Sequence, residues 1–177
     1  MVGLLDRLSY RTLQWLVAGF ALLHNLEEGL TMPGYATVVR ERLSSIAPTH
    51  LLAATEHLSW FYAGLLVATF VPALIVLAAT SARPSRGAAL AVVFVQSVFL
   101  VNVFVPHVPA AVMLGGYAPG VATAVCINLP YSLYFMRRSV REGTVSSTGV
   151  AWAIGLAVPV LVVSLALLYV IAGMEAA

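Results

Sequence analysis

Residues 22–29 read LLHNLEEG and place one imidazole and two carboxylates at the end of a long, mostly apolar run. In a helix, positions i, i+3 and i+4 lie on one face, so His24, Glu27 and Glu28 should point the same way. The run before them, residues 12–23, is about 18 Å long as a helix, whereas a membrane core is about 30 Å thick. A membrane-spanning helix here must therefore extend into the charged motif, into the Arg7–Arg11 flank, or into both. Ionisable side chains at membrane depth are costly without partners.

The composition is that of a polytopic membrane protein. Hydrophobic residues make up 61% of the 177 residues and charged residues only 9%, whereas soluble domains carry about 25% charge. We therefore predict one transmembrane domain over residues 1–177. A net charge of +2 from scattered arginines, with no lysine, is not a nucleic-acid-binding surface. The single Cys126 excludes an intrachain disulfide.

Hydropathy predicts an all-α, polytopic membrane helical bundle with about five transmembrane helices, each of roughly 20 residues. The predicted spans are residues 8–30, 57–80, 87–114, 119–136 and 149–172. Between the first two, the sequence MPG at residues 32–34 predicts a chain break. As a helix, residues 35–46 would have apolar side chains on one side and charged side chains near the other. This pattern predicts one short interfacial helix in the first outer loop.

The arginines predict the orientation of the bundle. With the N-terminus in the cytoplasm, seven of the nine arginines lie at inner span ends and only Arg40 and Arg42 lie outside. Positive charge concentrates on the cytoplasmic side of membrane proteins. We therefore expect a multi-pass protein of the plasma membrane with a cytoplasmic N-terminus and an external C-terminus.

This topology gathers polar side chains toward the outer face. Glu56 and His57 begin the second span, Asn102 and His107 lie in the third, and Tyr117 and Asn128 belong to the fourth. Every arginine lies at a span end or in a loop, so clustered carboxylates farther inside would take up protons or bind cations. Neutral histidines beside carboxylates are ligands for zinc or iron.

The predicted metal site follows from that convergence. Its ligands are His24, Glu28, His57 and His107, and Glu27 and Glu28 are the catalytic candidates. Prolines 106 and 109 loosen the backbone around His107, which favours its pointing into the bundle. The side chains expected to support the ligands are Glu56, Asn102, Tyr117 and Asn128.

Each residue also has a structural interpretation. The His-Glu-Glu group could be a helix end in headgroup water, Glu56 a helix cap, and His107 a hydrogen-bonded core histidine. Asn102 and Asn128 could form interhelical hydrogen bonds, and Tyr117 could belong to the interfacial aromatic belt. His50 is interpreted as a loop histidine.

The motif and its companions resemble one family. The order His24-Asn-Leu-Glu27-Glu28, then Asn102 and His107, then GYAPG at residues 116–120 is similar to the HXXEE-domain membrane proteins, over roughly residues 15–138. The resemblance implies that the histidine and the acidic pair are the family's hallmark. It supplies no activity.

Four functions are compatible with these residues. The first is a metal-dependent enzyme, a hydrolase with zinc or an oxidase with iron, that acts on a lipid-like or small hydrophobic substrate. The second is a proton- or ion-coupled transporter or channel component. The third is a haem-binding membrane protein with two histidine ligands, and the fourth is a structural subunit. The lipid bilayer is the expected partner in every case, and a homo-oligomer is compatible with each.

Overall fold

The fold is all-α, as predicted. The computed structural model of the chain describes residues 2–43, 55, 58–81 and 85–175, and these residues form helices and no strand. The helices are α1 (Val2–Leu5), α2 (Tyr10–Leu43), α3 (Ser59–Ser81), α4 (Arg86–Asn102), α5 (Val108–Met113), α6 (Val121–Thr123), α7 (Leu129–Arg141) and α8 (Ser147–Glu175). One π-helical turn, Val103–His107, joins α4 to α5, and another, Ala124–Asn128, joins α6 to α7.

Three helices of the described chain are long and apolar enough to cross a membrane, rather than the five that hydropathy predicts. They are Ser59–Ser81, Arg86–Met113 and Ser147–Ile171, which correspond to the predicted second, third and fifth spans. The first predicted span, 8–30, lies in α2, whose sequence includes charged residues of both signs. The fourth, 119–136, is divided among the short α6, a π-helical turn and the 13-residue α7, which ends in arginines.

The separate interfacial helix predicted over residues 35–46 is wrong for the described residues 35–43, because α2 continues through Pro33 to Leu43. Pro33 has no N–H to donate to the carbonyl of Gly29, which normally ends a helix. Here the hydroxyl of Tyr62, on α3, donates to that carbonyl at 3.2 Å. The packing of α3 thus satisfies the acceptor that the proline leaves unpaired, and the chain break predicted at residues 32–34 does not occur.

Helix α4 lies at the centre of the bundle and contacts α2, α3, α7 and α8. In the span Arg86–Met113, 56% of the most apolar window is buried, against 11% in each of the other two spans. The central core includes Val17 from α2, Val92 from α4 and Phe135 from α7. The outward faces of α3 and α8 expose large apolar side chains, as expected of helices that contact lipid.

At the arginine-rich end, the N-terminal segment is attached to α7 by ion pairs. Arg141 Nη2 lies 3.0 Å from Asp6 Oδ1, and Arg138 Nη1 lies 3.4 Å from the same oxygen. The Tyr134 hydroxyl donates to this carboxylate as well. The HNLEE motif lies away from this end, near the middle of α2. The side of the membrane on which it lies stays a prediction, as does the single-domain organisation.

Candidate metal centre

Three of the predicted metal ligands meet in one buried cluster. His24 and Glu28 lie one turn apart on α2, and His107 ends the π-helical turn after α4. One ligand atom from each of the three residues lies within 4.8 Å of those of the other two. The two histidines are only 1% and 3% exposed, so the cluster is enclosed by protein.

The ring of His107 is held in a defined tautomer. Its Nδ1 lies 2.8 Å from the carbonyl oxygen of Pro119. Because a carbonyl oxygen can only accept, Nδ1 carries the hydrogen, and the Nε2 of the neutral ring keeps its lone pair. This Nε2 lies 3.5 Å from Glu28 Oε1, so the lone pair is at the cluster.

The ring of His24 is held in the same way. Its Nδ1 lies 2.8 Å from the Thr123 hydroxyl, which lies 3.2 Å from the Gly120 carbonyl and donates to it. The Thr123 oxygen therefore accepts from Nδ1–H of His24, and Nε2 keeps a lone pair. Histidines that ligate metals usually donate their other N–H to such an oxygen, which fixes the tautomer and the ring orientation.

The Nε2 lone pairs of both histidines point toward the side-chain amide of Asn102. Its Nδ2 donates to Nε2 of His107 at 2.8 Å and approaches Nε2 of His24 at 3.3 Å. The two rings are perpendicular, with centroids 4.7 Å apart. The amide of Asn102 thus occupies the position for which a cation held by both histidines would compete.

The π-helical turn explains why Asn102 and His107 meet. In an α-helix, residues five apart lie about 140° apart around the axis. In the turn, Val108 N–H donates to Val103 O, the i→i+5 pattern of a π-helix, and residues five apart then share a face. Pro106 favours this departure because it cannot donate to the carbonyl of Asn102.

Gly120 packs directly against all three cluster residues. Its φ is +75°, in the left-handed region that glycine adopts without strain. A Cβ there would lie 2.6 Å from Glu28 Cγ, 2.8 Å from His24 Cε1 and 2.9 Å from His107 Cε1. Only glycine fits this position, and sequence reasoning quoted it as part of a motif without assigning it a role.

Glu27, predicted as a catalytic residue, does not join the cluster. Its carboxylate accepts hydrogen bonds from Ala122 N–H at 3.1 Å and from Thr123 N–H at 2.7 Å. The hydroxyl of Tyr117 donates to it as well. Glu27 therefore caps the helix that begins at Val121, where free N–H groups and the helix dipole favour an anion. Tyr117 contacts this cap rather than a cluster ligand.

Of the remaining predicted site residues, the structure describes Asn128 alone. Asn128 is 1% exposed, and its Nδ2 has no hydrogen-bond acceptor in the described part of the chain. His57, Glu56 and His50 lie outside the described residues. The supporting groups that sequence reasoning missed are the Thr123 hydroxyl and the Pro119 carbonyl. A backbone carbonyl has no sequence signature, although Pro119 belongs to the Tyr-Ala-Pro-Gly motif and Thr123 follows it closely.

The cluster is short of positive charge. Among the described residues, no arginine pairs with Glu28, whose side chain is 16% exposed, and its ion-pair contact is with the His107 ring. A buried carboxylate beside two neutral imidazoles requires a proton or a cation. Two imidazole nitrogens and one carboxylate are a donor set that zinc and iron accept, so His24, Glu28 and His107 could hold a divalent metal.

A family match covers the part of the chain that holds the cluster. A family model described as "Protein of unknown function with HXXEE motif" matches residues 15–135. The match includes the three cluster residues, Gly120 and the Glu27 cap. No curated protein and no solved structure matches the chain.

Proposed function

Since this chain belongs to the HXXEE-motif family, whose function is unknown, we propose its function from its own site: a membrane-embedded, metal-dependent enzyme. The observation that carries the proposal is the convergence of Glu28 with Nε2 of His24 and His107, while oxygen atoms hold both Nδ1 atoms. Interhelical packing alone would not require two lone pairs and a carboxylate to face one another.

The donor set allows two kinds of chemistry. Two histidines and a glutamate hold zinc in some hydrolases, and two histidines and a carboxylate hold iron in non-haem oxygenases. A bound metal would supply Lewis acidity or activate oxygen. The chain's own groups would do the rest: Pro119 and Thr123 fix the histidine tautomers, and the burial of both rings excludes water.

The position of Glu27 supports the oxidase over the hydrolase. A zinc hydrolase commonly uses a second acidic group as the general base for its bound water. Glu27 is the neighbouring acid, but its oxygens accept hydrogen bonds from Tyr117 and two backbone N–H groups. Within the described chain, Glu28 is the one carboxylate of the cluster, and it is needed as a ligand.

The three membrane-length helices support a lipid-like substrate. If the arginine-rich end faces the cytoplasm, as the positive-inside rule predicts, the cluster lies toward the outer leaflet. A substrate could then reach it from the bilayer. The number of spans, the orientation and the plasma-membrane location belong to this proposal.

The geometry does not favour the haem alternative. Two axial nitrogens would lie about 4 Å apart across an iron, twice a usual metal–nitrogen distance, and their ring centres would be farther apart still. The ring centroids of His24 and His107 are only 4.7 Å apart and the rings are perpendicular. No haem plane fits between rings in this arrangement.

Buried polar groups beyond the cluster, in the part of the chain that the structure describes, are neutral and do not favour the transporter alternative. Gln96 Nε2 donates to the Ser132 hydroxyl at 2.6 Å, and that hydroxyl donates to the Asn128 carbonyl at 2.6 Å. These are neutral hydrogen bonds between α4 and α7, of the kind that hold membrane helices together. They support interhelical packing in this region.

Elemental analysis of the purified protein tests the proposal. We expect the wild type to carry about one zinc or iron per chain, as a three-residue site of this kind would hold. Glu28→Gln should lose the metal, whereas Glu142→Gln, the same change at a partly exposed ion pair with Arg138, should retain it. A metal-free wild type that binds neither added zinc nor added iron would overturn the proposal.

A further inference from the structure

An open cavity of about 460 Å³ lies between the C-terminal half of α2 and the loop after α5. This groove is lined largely by apolar groups, with one arginine. Its defining residues are Leu30, Tyr35, Val38, Arg42, Leu114 and Tyr117. The volume is in the range of small-molecule sites, and the groove is separate from the buried cluster.

Arg42 gives the groove its charge. Its Nη1 donates to the carbonyl of Leu114, which holds the guanidinium beside the loop. Among the described residues, Arg42 has no carboxylate partner, since the ion pairs between them involve other side chains. A guanidinium has several donors and binds carboxylates and phosphates through paired hydrogen bonds.

The groove follows one face of α2. Residues 31, 35, 38 and 42 follow helical spacing along one face of α2, and the rise from Leu30 to Arg42 is about 18 Å. The cation lies at one end, and the lining toward Leu30 is mostly apolar. This pattern fits a single alkyl chain with an anionic end.

The end of the groove away from Arg42 lies beside the Glu27 cap. Tyr117 lines the groove, and its hydroxyl donates to Glu27, the residue next to Glu28. A molecule held at Arg42 by its head would therefore present its alkyl chain, rather than its headgroup, toward the metal ligands.

We propose that this groove binds a single-chain lipid anion of the fatty-acid class, with the carboxylate at Arg42 and the chain running toward Tyr117. The charge of Arg42, the apolar lining and the position beside Glu27 carry the inference. Its role as a substrate rests on the proposed enzymatic function, whereas binding itself does not require a metal.

Binding of radiolabelled laurate to the whole protein in nanodiscs of zwitterionic lipid tests the groove. We expect Arg42→Gln to weaken binding about tenfold, the usual loss for a charge-assisted contact, and Arg86→Gln to have no effect. Unlabelled dodecanol and butyrate, which lack the charge and the chain respectively, should compete poorly with laurate. Equal affinity of the wild type and Arg42→Gln, or equally strong competition by dodecanol, would overturn the proposal.

A second pair of variants fills the groove without removing charge. Gly34 lines the groove, and a Cβ added there meets no atom within 4 Å. Gly34→Leu should therefore fill the cavity and abolish laurate binding. Gly19→Leu, on the same helix and also without a neighbour within 4 Å, should bind laurate normally. Laurate binding by Gly34→Leu at wild-type affinity would count against the groove.

One further variant separates the two proposals. Glu28→Gln should lose metal and still bind laurate, because Glu28 does not line the groove. A wild type that contains metal but does not bind laurate would overturn the groove alone. A wild type that binds laurate but takes up no metal would overturn the enzyme alone.

Discussion

At the scale of single residues, the site depends on the absence of a side chain at Gly120 as well as on its candidate ligands. Gly120 has a φ of +75° and lies against His24, Glu28 and His107. The chain on either side of it supplies the Pro119 carbonyl and the Thr123 hydroxyl, which orient the two rings. The Pro-Gly segment therefore shapes the cluster from one side.

We expect Gly120→Ala to disrupt the site. The added methyl would lie within 3 Å of three side chains, and such overpacking costs about 1–3 kcal/mol. Metal content and the midpoint of thermal unfolding should both fall. Gly115→Ala is the matched control, because Gly115 also has a positive φ but has no neighbour within 4 Å of an added Cβ. Metal retained by Gly120→Ala at the wild-type level would contradict this interpretation.

The two adjacent glutamates should behave differently. Glu27→Gln replaces an anionic cap with a neutral one, so we expect a loss of about 1 kcal/mol in stability with the metal retained. Glu28→Gln should lose the metal. Thermal unfolding and elemental analysis of both variants check this, and metal loss in Glu27→Gln with retention in Glu28→Gln would reverse the assigned roles.

At the scale of elements, the local sequence predicts the bounds of the apolar helices. It does not predict features that depend on contacts with another helix. The spans predicted at 57–80, 87–114 and 149–172 agree within two residues with Ser59–Ser81, Arg86–Met113 and Ser147–Ile171. The length of α2 could not be predicted, because the hydroxyl that satisfies the Gly29 carbonyl comes from another helix.

The candidate site is likewise predicted where it depends on local spacing, and missed where it depends on contacts with distant segments. His24 and Glu28 share a helix face, which their spacing predicts. Topology and the flanking prolines predict that His107 joins them. The capping role of Glu27 could not be read from the sequence, because its donors come from the distant backbone of Ala122 and Thr123.

The continuity of α2 through Pro33 can be tested with a double-mutant cycle. We expect Tyr62→Phe to destabilise the protein by about 1 kcal/mol, because it leaves the Gly29 carbonyl without a donor. Pro33→Ala restores a backbone N–H to that carbonyl, so Tyr62→Phe should cost much less in the Pro33→Ala background. Equal costs of Tyr62→Phe in the two backgrounds, measured by thermal unfolding, would show that the Tyr62 hydroxyl does not compensate for the proline.

At the scale of the whole molecule, the two ends of the bundle are different in chemistry. One end carries the His-Glu cluster. The other carries Asp6 with Arg138 and Arg141, joining the N-terminal segment to α7. The hydrogen bond from Arg141 is the main cause that lowers the pKa of Asp6 below its usual 3.8, and Tyr134 contributes as well.

The contact between Asp6 and Arg141 predicts that the stability of the protein depends on pH. A carboxyl group whose pKa is lowered by folding adds stability above its unfolded pKa, and that stability is lost as the pH falls through the folded value. At pH 7 the wild type should therefore unfold at a higher temperature than Asp6→Asn, and the difference should shrink below about pH 4. A difference that persisted unchanged at pH 2–3 would exclude the ionised carboxylate as its cause.

The central claim is that His24, Glu28 and His107 bind one metal ion. X-ray absorption spectroscopy of the metal-loaded protein tests it most directly, because it reports the ligands around the ion. We expect nitrogen and oxygen ligands at about 2.0–2.2 Å, with outer-shell scattering from two imidazoles that falls to one in His107→Ala. A first shell without imidazole scattering, or a spectrum unchanged in His107→Ala, would contradict the claim.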